Sequence, residues 1–205
     1  MTTPRKLVLD DIADLRAYER ERTAFRDRMI ALKKVRRVGV GPIITLMFEN
    51  RETMRFQIQE MARAEKILSD DAIQHEVDTY NALIPEPGQL SATLFLELTS
   101  KMQLVEWLPK MVGVERSVEL VIGSGGADGS PAVVTCIPEE SHDDQLTRPD
   151  VTASVHYVRF ELTSSEVERF ATEAVVLSVN HPHYVEGTAL SEATKASLLD
   201  DLRPS

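Results

Sequence analysis

The sequence predicts an α+β fold with a mainly antiparallel sheet packed against amphipathic helices. Segments with helical and with strand-like hydrophobic spacing both occur along the 205 residues. Their order lacks the regular strand–helix alternation of a doubly wound parallel sheet. A glycine-rich segment between two strand-like segments also predicts a hairpin, whose strands are antiparallel. We therefore expect a single α+β domain over residues 1–205, with sub-lobes 1–113 and 114–205 as the alternative division.

A long amphipathic helix is predicted close to the N-terminus. Asp10 is its expected N-cap, and Gly39 and the Gly41-Pro42 pair end any continuation. Apolar side chains recur along it at spacings of three, four or seven, at Ile12, Leu15, Tyr18, Phe25, Met29 and Leu32.

The next elements alternate between strand and helix spacing. Residues 43–49 alternate as a strand, with Thr45 and Glu49 opposite its apolar face. Asn50 caps a second helix with Met54, Ile58 and Leu68 facing inward, and Ser69 precedes a short third helix. The remaining predicted elements are a strand at 90–98, a helix at 104–111, a hairpin of 118–122 with 132–137, a loop at 138–150, a strand at 155–162, a helix after Thr163, a strand at 175–179 and a helix at 191–202.

Composition excludes several classes of function. No apolar run approaches the roughly 20 residues that a membrane-spanning helix needs. The first residues lack the apolar core of a secretory signal, so we expect a cytoplasmic protein. A net charge of −10 disfavours nucleic acid and anionic membranes as partners. The single cysteine, Cys136, excludes an all-cysteine metal or iron–sulfur site within one chain.

None of the motifs in the chain specifies a reaction, so the sequence does not predict an enzyme. The glycines of 123–130 match neither a dinucleotide fingerprint nor a P-loop and indicate a hairpin turn. Cys136 lies among apolar strand residues, where a free thiol is commonly buried and inert. His142 lies in a polar loop that matches no calcium-binding spacing, and Glu60 lacks the repeated Glu-x-x-His pattern of di-iron bundles.

Histidines supply the one candidate metal site. His181 and His183 follow a predicted strand, where residues two apart point to the same face. Two imidazoles on one face are a common element of transition-metal sites. If the two strands are antiparallel neighbours, His156 completes the ligand set, whereas a parallel arrangement separates it. The alternative is a set of hydrogen-bonded structural histidines, with Pro182 ending the strand before His183.

Four stretches resemble a bacterial family called domain of unknown function 3501. They are LDDIADLRAYER at 9–20, FENRETMRFQIQEM at 48–61, Tyr80-Asn81 and PEPGQLSATLF at 85–95. The resemblance runs from about residue 5 to the end of the chain. It implies no reaction, cofactor or catalytic residue. Members are often encoded beside rubrerythrin-like proteins and heterodisulfide-reductase-related iron–sulfur proteins, which implies an association with redox chemistry or peroxide defence.

Two hypotheses follow for function. The first is an accessory or interaction protein of a cytoplasmic redox system, acting as a homodimer or with a rubrerythrin-like or iron–sulfur partner. The second is a small metalloprotein or metalloenzyme that uses His181 and His183. For the first hypothesis we expect a contact surface on the first two helices, and the alternative is that its apolar members belong to the core. The predicted surface consists of Tyr18, Phe25, Met29, Arg51, Arg55 and Gln59.

Overall fold

The described part of the chain comprises residues 5–123, 130–139 and 150–203 of a computed structural model. Its six helices are α1 (Leu15–Arg36), α2 (Arg51–Glu65), α3 (Asp70–Asn81), α4 (Lys101–Lys110), α5 (Ser164–Thr172) and α6 (Glu192–Leu202). Its strands are β1 (Arg37–Val40), β2 (Ile44–Glu49), β3 (Gln89–Leu96), β4 (Val118–Ile122), β5 (Ala132–Thr135), β6 (Ile137–Pro138), β7 (Val155–Glu161), β8 (Val175–His181) and β9 (Tyr184–Ala189). Short 3-10 turns occupy Leu9–Asp11 and Val114–Arg116.

The strands form two antiparallel sheets, which confirms the predicted α+β class. The first sheet has the order β1-β2-β3-β7-β6, and the second has the order β5-β4-β8-β9. The predicted hairpin is present, because β4 pairs with β5 in antiparallel register. Its glycine-rich connection at 124–129 lies outside the described residues.

The largest core cluster contains side chains from both sheets. Strand alternation sends every second side chain of β2, such as Leu46 and Phe48, into this cluster. Leu120 and Leu177 enter it from the second sheet, and all four are fully buried. The other face of the first sheet is left to helices α1–α3, whose apolar side chains form two smaller clusters.

Most helices begin at side-chain caps that the sequence carries. Asn50 and Thr53 form a reciprocal capping box at α2, and Ser100 with Gln103 does the same at α4. Helix α1 is capped by Asp14 rather than by the predicted Asp10, because the Asp14 carboxylate accepts the backbone N–H groups of the first turn. Asp10 lies instead in a separate 3-10 turn.

Strands β1 and β9 were not predicted from the sequence, and β6 was predicted only as the end of the hairpin strand at 132–137. Strand β1 directly follows α1, where Gly39 had been interpreted only as a helix stop. Strand β9 carries exposed polar residues and lies at the sheet edge, so it lacks an apolar alternation signal.

Leu68, predicted to face inward, is 81% exposed because α2 ends at Glu65. In the described residues, none of the helices combines the length and the apolarity that crossing a bilayer requires.

Candidate functional site

A cavity of about 290 Å³ lies between the outer face of the first sheet and helices α1–α3. Its floor follows the strand register, in which Arg37, Met47, Thr93 and Tyr157 form one cross-strand row over β1, β2, β3 and β7. Their neighbours along each strand point into the core between the sheets. The same alternation that builds the core therefore presents this row of four side chains to the cavity.

Glu49 supplies the carboxylate of this cavity. It ends β2, two residues after Met47, and is only 6% exposed. Oε1 accepts a hydrogen bond from the Thr93 hydroxyl at 2.8 Å, whereas Oε2 has no hydrogen-bond partner. A buried carboxylate oxygen without a partner loses its hydration and receives no compensation. The protein thus supplies no hydrogen-bond donor to this oxygen.

Arg36, the last residue of α1, binds the backbone of Glu49. Arg36 is 1% exposed and donates hydrogen bonds to the carbonyl oxygens of Phe48 and Glu49 at 2.9 and 3.0 Å. The same guanidinium binds the Asp201 carboxylate of α6. Because Asn50 also caps α2 immediately after Glu49, the carboxylate is carried by backbone that is fixed on both sides.

Among the described residues, three buried side-chain atoms lack a partner: Glu49 Oε2, Arg51 Nε and Glu115 Oε2. The rest of the Arg51 guanidinium is engaged, with Nη2 at 2.6 Å from the Asp11 carboxylate. Glu115 is 3% exposed but does not line the cavity. The cavity is therefore distinguished by Glu49, and Glu115 offers a matched buried glutamate elsewhere in the chain.

Two tyrosines line the cavity beside Glu49. Burial raises the pKa of Tyr157, and the negative charge of Glu49 raises it further. Burial also raises the pKa of Tyr80, against the lowering effect of its hydrogen bond with Gln57. Both phenol groups therefore stay protonated at neutral pH. Their rings add aromatic surface to a lining that also contains Phe95.

Two cationic side chains complete the lining. Arg37 is half exposed, forms an ion pair with Glu97 and lies over the Phe95 ring at 5.4 Å. Its guanidinium lowers the pKa of Glu97. The Lys33 ammonium lies 5.3 Å from the centre of the Phe56 ring. Because Arg37 is far more exposed than Glu49, the cavity runs from a cationic, solvent-facing end to a buried carboxylate.

A larger cavity, of about 420 Å³, lies near the start of α1. Its lining combines apolar residues such as Ile12 and Ile73 with the exposed aspartates Asp10 and Asp14. None of the three unpartnered buried atoms belongs to this lining. A large volume by itself does not indicate which ligand a cavity binds. We therefore place the candidate site at the cavity that contains Glu49.

The three histidines of the predicted metal site are not brought together. His156 lies on β7 of the first sheet, and His181 ends β8 of the second, so the strands are not the neighbours that the three-ligand set required. His156 Nε2 lies 2.9 Å from the Thr152 hydroxyl, and the two form a buried pair. Among the described residues, no three His, Cys, Asp or Glu side chains are arranged to hold a metal ion.

His181 and His183 remain close, with ring centres 5.9 Å apart. His181 Nε2 lies 3.0 Å from the Val112 carbonyl oxygen, and its Nδ1 accepts the backbone N–H of His183 at 3.3 Å. Pro182 and His183 form the turn between β8 and β9, as the alternative interpretation expected. Metal binding by this pair stays a prediction, and it requires His181 to give up one of these two hydrogen bonds.

The predicted contact surface on the first two helices is wrong for Tyr18, Phe25, Met29 and Gln59, which are buried, whereas Arg51 and Arg55 are half-buried and bonded within the chain. Tyr18, Phe25 and Met29 are 2–5% exposed and form a cluster with Phe56 of α2. Gln59 is fully buried, and its amide exchanges two hydrogen bonds with the backbone of residue 13. Arg55 and Arg51 bind the backbone and the carboxylate of Asp11, respectively. These side chains hold α2 against α1 and against the segment that precedes α1.

Two other candidate residues, Cys136 and Glu60, form hydrogen bonds within the fold. Cys136 is buried, its thiol donates to the Glu115 carbonyl oxygen at 3.0 Å, and burial raises its pKa to about 12. Glu60 accepts hydrogen bonds from Tyr18 and Arg22 between α1 and α2. His142 lies outside the described residues.

Glu49 was missed as a site residue by sequence reasoning, which placed it on the polar face of its strand. The available signal was a carboxylate next to the helix cap Asn50, at the end of an otherwise apolar strand. That signal does not show which element covers the polar face. The decisive information is the packing of α1–α3 over it, which comes only from the tertiary structure.

Comparisons with known proteins give a family but no activity. The sequence profile of a family described as "Protein of unknown function (DUF3501)" matches residues 6–202. A crystal structure from Burkholderia pseudomallei K96243, described as a novel protein of unknown function, is similar with a TM-score of 0.85 at 34% identity. The similarity covers 96% of this chain and 99% of that one. No curated protein matches the chain.

Proposed function

The chain belongs to the DUF3501 family, and from its geometry we propose that it is an accessory protein that binds a small organic molecule in the cavity at Glu49. The observation that carries the proposal is the unpartnered Oε2 of Glu49, a residue that is only 6% exposed and lines the cavity. A ligand that donates a hydrogen bond to this atom removes the cost of its burial.

The surroundings of Glu49 support ligand binding. Small-molecule sites are concave and largely apolar, with a few convergent polar groups that fix the orientation of the ligand. Here Met47, Met54 and Phe95 supply apolar and aromatic surface, and Tyr157 and Glu49 supply polar groups. The volume of about 290 Å³ suits a compact molecule rather than a dinucleotide or a haem.

The proposal is tested by thermal unfolding of the full chain in the presence of a library of polar metabolites. At a ligand concentration about one hundred times Kd, binding adds about 2.7 kcal/mol to the free energy of unfolding. For a chain of this length that gain raises Tm by about 5–10 °C. We expect at least one compound to raise the Tm of the wild type by this amount and to leave the Tm of Glu49→Gln unchanged.

Glu115→Gln is the matched control. It replaces an equally buried glutamate that also has an unpartnered Oε2 but lies outside the cavity. The same compound should stabilise this variant as much as it stabilises the wild type. A library in which every stabilising compound acts equally on Glu49→Gln, or in which no compound stabilises the wild type, overturns the proposal.

A redox role enters this proposal only through a partner. One cysteine per chain cannot hold an iron–sulfur cluster, and Cys136 is buried. The cofactor would therefore belong to the rubrerythrin-like or iron–sulfur protein expected from the family resemblance. Purification from the native host under gentle conditions, followed by identification of bound proteins, tests this part. If neither protein is recovered, the redox role is wrong. The ligand-binding proposal is not affected by that result, because it has its own test.

A further inference from the structure

We infer that the ligand is a compact zwitterion, with a cationic nitrogen at Glu49 and an anionic group at Lys33 and Arg37. This inference rests on the proposed binding function and specifies its ligand class. It follows from the distribution of charge in the lining, which holds one buried carboxylate and two cations.

The buried end selects a cationic nitrogen. Glu49 is the one acidic residue of the lining, and its Oε2 accepts no hydrogen bond from the protein. An ammonium group supplies both the missing donor and the missing countercharge, and such charge-assisted bonds are stronger than neutral ones. Tyr80 and Tyr157 also line the cavity, and aromatic side chains are common neighbours of a bound cation.

The exposed end selects an anionic group. Among the described residues, Lys33 has no ion pair, and its ammonium lies over the Phe56 ring instead. Arg37 is held over Phe95 by Glu97, which leaves further N–H donors of the guanidinium for a second anion. A ligand with a cationic nitrogen alone would leave Lys33 without an anionic partner in the part of the chain that the structure describes, and would leave the remaining N–H donors of Arg37 unused.

The strand register sets the spacing between the two ends. Arg37 pairs with Met47 across β1 and β2, and Glu49 lies two residues farther along β2. One interstrand spacing of about 4.8 Å and a rise of about 3.4 Å per residue place the Cα atoms of Arg37 and Glu49 about 8 Å apart. A ligand whose charged groups are separated by a few methylene groups fits this spacing better than one with both charges on neighbouring atoms.

The test is calorimetric titration of the full chain with three matched probes: δ-aminovalerate, pentylamine and pentanoate. They share one chain length and carry both charges, the cation alone or the anion alone. We expect δ-aminovalerate to bind at least about tenfold more tightly than either single-charge probe. We expect Glu49→Gln to weaken δ-aminovalerate and pentylamine about tenfold or more and to leave pentanoate unchanged.

Lys33→Met serves as the reciprocal variant. It should weaken δ-aminovalerate and pentanoate and leave pentylamine unchanged, whereas Glu115→Gln should change none of the three. Equal affinity for pentylamine and δ-aminovalerate, or no binding of any probe, overturns the inference that the ligand is a zwitterion. If a library compound still stabilises the protein through Glu49 in that case, the binding function stands and only the ligand class is wrong. If no compound does so, both are wrong.

Discussion

The stability of the ligand-free protein should increase when Glu49 and Thr93 are replaced together by apolar residues of similar shape. Glu49 makes one side-chain hydrogen bond, with Thr93, and leaves Oε2 without a partner in a 6% exposed residue. One such bond contributes about 1 kcal/mol, whereas an unpartnered buried polar atom costs about 1–3 kcal/mol. A residue kept for binding rather than for folding should show this imbalance.

The single and double variants are therefore expected to change stability in opposite directions. Thr93→Val leaves both Glu49 oxygens without a partner and should lower the free energy of unfolding by about 1–2 kcal/mol. Glu49→Met with Thr93→Val removes both the unpartnered oxygen and the one hydrogen bond, and should raise that free energy by up to about 2 kcal/mol. Urea unfolding at neutral pH, followed by far-ultraviolet circular dichroism, measures both changes. A double variant that is less stable than the wild type would refute the reasoning and make Glu49 a structural residue.

Three further predictions concern the framework around the site. Cys136→Ala should cost about 1 kcal/mol, and a thiol reagent should alkylate the native protein slowly, because burial raises the thiol pKa to about 12; rapid alkylation would contradict this. Arg36→Met should cost about 3–5 kcal/mol in urea unfolding, since it leaves Asp201 buried without its countercharge, and a loss below about 1 kcal/mol would contradict it. Hydrogen bonding by Arg22 lowers the pKa of Glu60 from 4.5 to about 2, so Glu60 stabilises the fold above pH 4.5 and less as the pH falls toward 2. Glu60→Gln should therefore cost about 1 kcal/mol at pH 7, with partial exposure screening the pair, and progressively less below pH 4.5; a pH-independent difference would contradict this.

Elements with strong local signals were predictable from the sequence. The alternation of β3 and the caps at Asn50, Ser69 and Thr163 are local properties of the sequence. The structure has a strand at the alternating segment and a helix after each of the three caps. β9 carries exposed polar side chains, and its stability comes from pairing with β8. Such a strand has no local apolar pattern to reveal it.

Sheet membership was beyond the sequence for a different physical reason. The helix at Ser164–Thr172 joins β7 to β8, and the chain crosses from the first sheet to the second at this point. Spacing along the chain fixes which face of a strand His156 or His181 occupies but not which strand lies beside it. Only the third ligand, His156, depended on that pairing, and β7 and β8 lie in different sheets, so His156 is not beside His181.

The candidate site required tertiary information for the same reason. Glu49 and Tyr157 are separated by 108 positions in the sequence, and Thr93 lies between them. Only the strand order β2-β3-β7 brings the three side chains to one face of the sheet. Conversely, arginine and aromatic side chains on α1 and α2 had the composition of an interface but were used within the chain. Composition alone does not distinguish a surface that binds a partner from one that binds a neighbouring helix.

The most direct test of the account is the carboxyl ¹³C resonance of Glu49, followed by NMR as δ-aminovalerate is added to glutamate-labelled protein. Comparison with spectra of Glu49→Gln identifies the resonance, and Glu115 supplies a second buried carboxylate as an internal reference. The account predicts a saturable shift of the Glu49 resonance, because its Oε2 gains a charged hydrogen-bond donor, and no shift at Glu115. A Glu49 resonance that stays unchanged while the ligand binds would contradict the central claim that this carboxylate holds the ligand.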